Sequence, residues 1–245
     1  QSCDVFFYEI ALKTGINNIA KISREFGLGL PTGINLPGEK SGLIPDRKWR
    51  LDVKKQVWRP GETIIAGIGQ GYVLATPIQL ALMSARIANG GKKINPTLLK
   101  SSMLQASNAN SIKVSEENLN IIKRAMEKVS LDEFGTGRNF RLGIKGVEMA
   151  GKTGTVQVRR ISTKERESEE GVIKNEDRIW EWRDHALYVG YAPMDKPRYA
   201  ISVIVEHGGS GSSKAGPIAR DIMEATLTDD PTRFIPKNPL KKPLI

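Results

Sequence analysis

The chain has 245 residues, a formal net charge of +10, and 39% hydrophobic and 26% charged residues. That composition is ordinary for a globular protein and suffices for one large domain or two small ones with a proper core. No apolar run reaches the roughly 18 residues of a membrane span, one cysteine excludes an internal disulfide, and the scattered basic residues lack the aromatic interleaving of a single-strand binder.

The first predicted element is a helix from Asp4, as N-cap, through Leu12, with Val5, Tyr8 and Leu12 at helical spacing. It is apolar enough to be buried. Lys13-Thr14-Gly15 closes it, with Gly15 as a left-handed C-terminal cap. A second helix runs from Asn17 or Asn18 to about Phe26 and stops at Gly27-Leu28-Gly29. Residues 27–72 are dense in Gly and Pro and read as a long ordered loop region with short elements. Within it, Gly67-Ile68-Gly69-Gln70-Gly71-Tyr72 looks like a phosphate-cradling loop only superficially. It lacks a preceding strand and a following Lys-Ser/Thr.

Thr76-Pro77 places an N-cap and a first-turn proline ahead of a helix that ends at Asn89-Gly90-Gly91. This helix, too, is apolar enough to be buried. Ser115 opens another, through Leu119, Ile122, Ala125 and Met126 to Val129. The pattern then changes to period two, giving strands at 147–158, 186–192 and 199–206. Pro193-Met194-Asp195-Lys196-Pro197 joins the last two as a hairpin. The mixed-charge stretch from Arg159 to Asp184 reads as a solvated loop or exposed helix face. A closing helix spans about Lys214 to Leu227, and the Pro-rich residues 231–245 read as a tail. Helices followed by an antiparallel sheet and a closing helix is an α+β order. It divides residues 1–230 into a mostly helical part with loops (1–146) and a sheet part with its closing helix (147–230).

Lys-Thr-Gly occurs twice. The copy at Lys13 belongs to the end of a helix. The copy in Met149-Ala-Gly-Lys152-Thr153-Gly154-Thr155-Val156 lies in a strand, where Gly154 signals close approach of a ligand or another backbone. A cation, two hydroxyls and a bare backbone on adjoining strand positions suit a carboxylate held beside a reacting carbonyl. His185 and His207 flank strands and read as structural histidines, and Cys3 as a small packed side chain.

Five collinear blocks resemble the transpeptidase domain of class B penicillin-binding proteins, specifically the cell-elongation subgroup. They are Ser2-Cys3-Asp4-Val-Phe-Phe-Tyr8, Gly67-Ile-Gly-Gln-Gly-Tyr72 with Ala75-Thr-Pro77, Gly151-Lys-Thr-Gly-Thr155, Arg183-Asp-His185 and Glu206-His-Gly-Gly-Ser-Gly211. The resemblance implies a penicillin-binding-protein/serine β-lactamase-like fold, incomplete at its N-terminus. It implies a serine acyl-enzyme that cross-links D-Ala-D-Ala stem peptides of peptidoglycan and is blocked by β-lactams.

By the same resemblance, Ser2 relays protons and Lys152 holds the substrate carboxylate with the Thr153 and Thr155 hydroxyls. The Thr155 N–H forms half of an oxyanion hole, and Gly154 lets the substrate lie along the strand. Asp4 stands where most relatives have Asn. Cys3 joins a zinc site only with further ligands from upstream, and no cofactor is required. Elongation-machinery membrane proteins, a glycosyltransferase among them, are the implied partners, with no nucleic acid. The implied site of action is the periplasmic face of the bacterial inner membrane, reached through an anchor upstream of this chain.

No serine has a lysine three positions later. The nucleophile signature S-x-x-K and the first sheet strands are therefore expected upstream. The chain alone is expected to be inactive, with an open sheet edge and marginal solubility. A serine β-lactamase, a D,D-carboxypeptidase and a non-catalytic penicillin-sensor-like domain share these features and stay open.

Overall fold

The computed structural model describes residues 2–98, 110–159, 161–168 and 171–229; the predicted tail at 231–245 lies outside them. The helical part comprises α1 (Asp4–Thr14), α2 (Ile16–Glu25), α3 (Arg47–Lys54), α4 (Pro60–Gly67), α5 (Pro77–Ala88) and α6 (Glu116–Leu131). Then come β1 (Ala150–Val156), a single turn α7 (Thr163–Arg166), β2 (His185–Ala192), β3 (Tyr199–Val205) and α8 (Gly216–Thr228). A π-helical turn, Gly211–Ala215, leads into α8.

The capping chemistry sets several of these boundaries. Thr76 accepts from the Gln79 N–H while the Gln79 side chain reaches back to the Thr76 N–H, so α5 begins with a full capping box behind Pro77. Ser115 caps α6 through the Asn118 N–H. Two short helices interrupt the expected loop region. Asp46 caps α3 by accepting from the Trp49 N–H, and Pro60 starts α4 with Glu62 bonded back to the Arg59 N–H. The first helix departs from expectation at both ends. Its N-cap is Cys3, with Asp4 inside the first turn. Gly15 has φ 76° and ψ 147°, a positive-φ but extended junction shared with α2 instead of a left-handed cap.

The sheet has three antiparallel strands in the order β1-β2-β3, with Lys152 opposite Val189, Gly154 opposite Leu187, and Leu187 opposite Ile204. β1 is shorter than the 147–158 expected. Before Ala150 the chain turns through a Val147 N–H to Ile144 carbonyl bond. After Val156 it leaves the sheet, and the Val158 N–H is taken by the Asp184 carboxylate.

Helix α8 and Phe140 cover one face of the sheet, burying Met149, Ala186, Tyr188, Ala219, Met223 and Leu227. The other face buries Ala150 and Tyr191 against Ile87 and Ala88 of α5 and Met126 of α6. β2 is packed on both sides, fully at residues 190–192, while over residues 185–189 buried and half-buried positions alternate. A smaller cluster of Ile16, Trp58 and Ala66 holds the helical part.

Two expectations about burial are corrected. Helix α1 is not buried: it rests on α4, where Gly67 leaves room for Ala11, but Val5, Phe6, Phe7, Ile10 and Leu12 are exposed. An all-round apolar helix needs cover on more than one side, and α1 has it on one. The mixed-charge segment is not wholly solvated either. It ends in a buried pair in which Arg178 donates to Asp184 at 3.1 Å, and Asp184 also accepts from Asn175 at 3.0 Å. Burial is tolerated because these partners replace the water each charge gives up.

Gly151 allows the tightest contact within the sheet. An ideal Cβ there would overlap the ring and hydroxyl of fully buried Tyr188. Gly151→Ala is expected to destabilise the intact protein by about 1–3 kcal/mol through overpacking, read as a lowered urea midpoint. An unchanged midpoint would show that both Tyr188 and the Val189 carbonyl can give way.

Candidate active site

Three contacts converge on β1 from separate parts of the chain. Lys152 Nζ donates to Ser2 Oγ at 2.7 Å and to the Thr153 carbonyl at 2.6 Å. Gln70 Nε2 donates to the Thr155 carbonyl at 3.1 Å. Thr153 Oγ1 lies 2.8 Å from Thr136 Oγ1. The start of α1, the glycine-rich loop after α4 and the loop after α6 thus each touch the same short strand.

Among the described residues β1 pairs only with β2. In an antiparallel strand the N–H and C=O of one residue point to the same side, and that side alternates along the chain. The Thr153 and Thr155 carbonyls bond to side chains rather than to β2, so both residues present their backbone groups to the open edge. The Thr155 N–H therefore faces that edge beside Lys152. Gly154, between them, has no side chain to stand in the way. Gln70 occupies an acceptor that an added strand would otherwise use.

Burial lowers the Lys152 pKa below the ordinary 10.5 of a lysine, and the negative charge of Asp4 opposes this only in part. The side chain is half-buried, and its ammonium donates two hydrogen bonds that fix where its charge is felt. Because Ser2 Oγ accepts from Lys152, its own proton is free to be donated elsewhere. Lysine, serine and strand edge together can transfer a proton next to a bound carbonyl.

Of the residues singled out from sequence, Ser2, Asp4, Lys152, Gly154 and Thr155 lie in this one region. Thr153 is 8% exposed, with its hydroxyl turned to Thr136, whereas Thr155 is exposed. Cys3 is a free, exposed thiol and not a packed one, because little covers the start of α1. Among the described residues no three His, Cys, Asp or Glu side chains cluster in a way that would hold a metal, so they do not by themselves form a zinc site.

His185 and His207 bond to each other at the start of β2, opposite Val156 of β1. His185 Nδ1 accepts from the His207 N–H at 2.9 Å, and the His207 ring packs on Trp180. Sequence reasoning missed Gln70 and Thr136. The Gly69-Gln70-Gly71 spacing marked a tight loop but not its target, and Gly135-Thr136-Gly137 carried only a loop signal.

A helical lobe beside an antiparallel sheet, with lysine, threonine and glycine on the sheet's open edge, is the architecture of penicillin-binding transpeptidases. The structure is similar to that of Pseudomonas aeruginosa PBP2 in complex with WCK 5153, with a TM-score of 0.75 and 35% identity over 98% of this chain and 48% of that one. It is also similar to PBP2 in its complex with MreC from Helicobacter pylori, with a TM-score of 0.77 and 33% identity over 92% of this chain and 38% of that one.

The penicillin binding protein transpeptidase domain model matches residues 1–224, and the chain belongs to that family. It is 38% identical to the peptidoglycan D,D-transpeptidase MrdA of Acinetobacter baumannii over 89% of this chain and 32% of the relative. The MrdA of Haemophilus influenzae is 36% identical over 93% of this chain and 35% of the relative. The chain thus spans about a third of the length of these curated relatives.

The Lys152 environment gives a prediction with a definite sign. A lysine whose folded-state pKa is lowered binds its proton less tightly when folded than when unfolded. Its contribution to stability therefore rises with pH across the window from that lowered value to 10.5. Since Asp4 is the group opposing the shift, Asp4→Asn is expected to lower the Lys152 pKa further. An NMR titration of the Lys152 side chain checks this; a midpoint that stays put or moves up would contradict it.

Proposed function

We propose that the protein carrying this chain is a serine-type peptidoglycan D,D-transpeptidase of the cell-elongation machinery, and that this chain forms the proton-relay and substrate-binding half of its site. The Lys152–Ser2 hydrogen bond beside an open strand edge carries the reading. Family membership and the MrdA relatives support the reaction class.

In this reading a serine outside the chain attacks the carbonyl of a D-Ala-D-Ala stem peptide. The peptide C–N bond breaks, D-alanine leaves with a proton passed through Ser2, and the acyl group stays on the serine as an ester. An amine from a neighbouring strand then attacks the ester and returns the proton to the serine oxygen. Lys152 stabilises the Ser2 oxygen and attracts the terminal carboxylate, which Thr155 also binds. The Thr155 N–H donates to the developing oxyanion, where such a bond contributes most. The peptide lies along β1 as an added strand, and its amide displaces Gln70 from the Thr155 carbonyl.

The uncovered apolar side of α1 is where the rest of the transpeptidase domain would pack. Residues 1–146 and 147–229 are then two lobes of one domain, not two domains. Action at the periplasmic face of the inner membrane requires an anchor elsewhere in the protein; among the described residues no helix is long and apolar enough to cross a membrane. The H. pylori relative was solved in complex with MreC, which makes a similar envelope protein the first partner to test, with a glycosyltransferase second.

Labelled penicillin tests the reading. The intact protein is expected to take up one equivalent at a serine outside this chain, while this chain alone takes up none. Lys152→Ala in the intact protein is expected to slow labelling by about a hundredfold or more, the scale of a positioned proton-transfer group. Labelling of a serine within this chain, or rapid release of hydrolysed drug, would overturn the assignment, the latter in favour of a β-lactamase.

A further inference from the structure

Of the three side-chain contacts that converge on the substrate-binding strand, the Thr136–Thr153 hydroxyl pair is the one the proposed chemistry leaves unused. It is built with some care. The carboxylate of Asp132 accepts from the Phe134 N–H at 3.0 Å, and the Gly135 N–H donates to the Asp132 carbonyl at 3.0 Å. The Gly137 N–H donates to the Val129 carbonyl at the end of α6 at 2.7 Å. A Cβ at Gly135 would overlap the Val129 carbonyl, and one at Gly137 would crowd the same oxygen and the Phe140 ring. Only side-chain-free residues on both sides let Thr136 be pressed between the end of α6 and β1. There its hydroxyl reaches Thr153, which is 8% exposed.

A threonine hydroxyl has one proton and can accept two hydrogen bonds. If Thr153 spent its proton on Thr136, it would have none for an anion at the strand. If Thr136 donates instead, the Thr153 oxygen is satisfied from behind and its proton points forward. A carboxylate beside Lys152 favours the second arrangement, because each hydrogen bond in a chain ending on an anion polarises the next.

We propose that Thr136 is a positioning residue for the carboxylate subsite: it donates to Thr153 so that the Thr153 hydroxyl donates to the C-terminal carboxylate of the donor stem peptide, or to the equivalent carboxylate of a β-lactam. The proposal rests on the transpeptidase reading. It adds a residue that touches no substrate and acts only through Thr153.

The test is a double-mutant cycle in the intact protein, read as the second-order rate constant for acylation by benzylpenicillin. Thr136→Val removes the hydroxyl at nearly constant shape and is expected to slow acylation about fivefold, the scale of one hydrogen bond between neutral groups. In the Thr153→Val background the same change is expected to have no further effect, since the group it acts through is gone. Thr136→Ser, which keeps the hydroxyl, is expected to restore the wild-type rate. Should valine not be accommodated, Thr136→Ala enters the same cycle.

Wild-type rates in Thr136→Val would overturn the proposal. So would an equal loss in both backgrounds, which is what a merely structural role predicts, or failure of serine to restore the rate. A wild-type protein that benzylpenicillin does not acylate would sink the transpeptidase reading itself, and this proposal with it, before any variant is compared.

Discussion

The site depends on drawing one ammonium group partly out of water and tying it to two oxygens. Lys152 Nζ bonds to Ser2 Oγ and to its neighbour's carbonyl, and burial makes the proton less tightly held than on an ordinary lysine. In bulk water such a charge would be weakened by the high dielectric and screened over about 8–10 Å. Held here, it acts on one hydroxyl and on whatever anion enters beside it. The contact spans 150 residues of sequence, so it exists only when the helical part and the sheet are correctly docked.

The remaining architecture serves that docking. β1 must be an edge strand, for only an open edge leaves the Thr155 N–H available. It must also be rigid, and β2 provides this by packing on both faces of the sheet. Gly151 lets β1 settle onto Tyr188, and Gly154 avoids crowding Leu187 across the ladder. The loops bearing Gln70 and Thr136 then touch the strand at Thr155 and Thr153, so backbone and side chain are positioned from opposite ends of the helical part. Asp184 finishes the strand by capturing the Val158 N–H where pairing with β2 ends. An exposed edge held this firmly is a template for a peptide and does not require a deep pocket.

Much of the fold was legible because its signals are local. Thr76-Pro77 with Gln79, Ser115 ahead of α6, and the Pro-bounded hairpin between β2 and β3 each carry their own cap or turn chemistry. The short helices α3 and α4 also had such signals, Asp46 and Pro60 with Glu62, but these were masked by the density of Gly and Pro around them. Burial was less legible because it depends on partners. The apolar sequence of α1 announces a buried helix, yet one neighbour covers one side of it. The charged stretch ending at Asp184 announces solvent, yet Arg178 and Asn175 are folded over that carboxylate. Lys152, Thr153, Gly154 and Thr155 were legible as a group through their strand context and the collinear blocks. Thr136 was not, since nothing local tells that a loop hydroxyl will meet a strand hydroxyl 17 residues away.

The most direct test of the account is a crystal structure of the intact protein acylated by a penicillin. The drug is expected to lie antiparallel along β1, its acyl oxygen accepting from the Thr155 N–H and its carboxylate beside Lys152 and the two threonine hydroxyls. Lys152 Nζ should remain within hydrogen-bond distance of Ser2 Oγ. A drug bound away from the β1 edge, or a Lys152 that has left Ser2 with the acyl-enzyme intact, would contradict the claim that this half-buried ammonium organises the site.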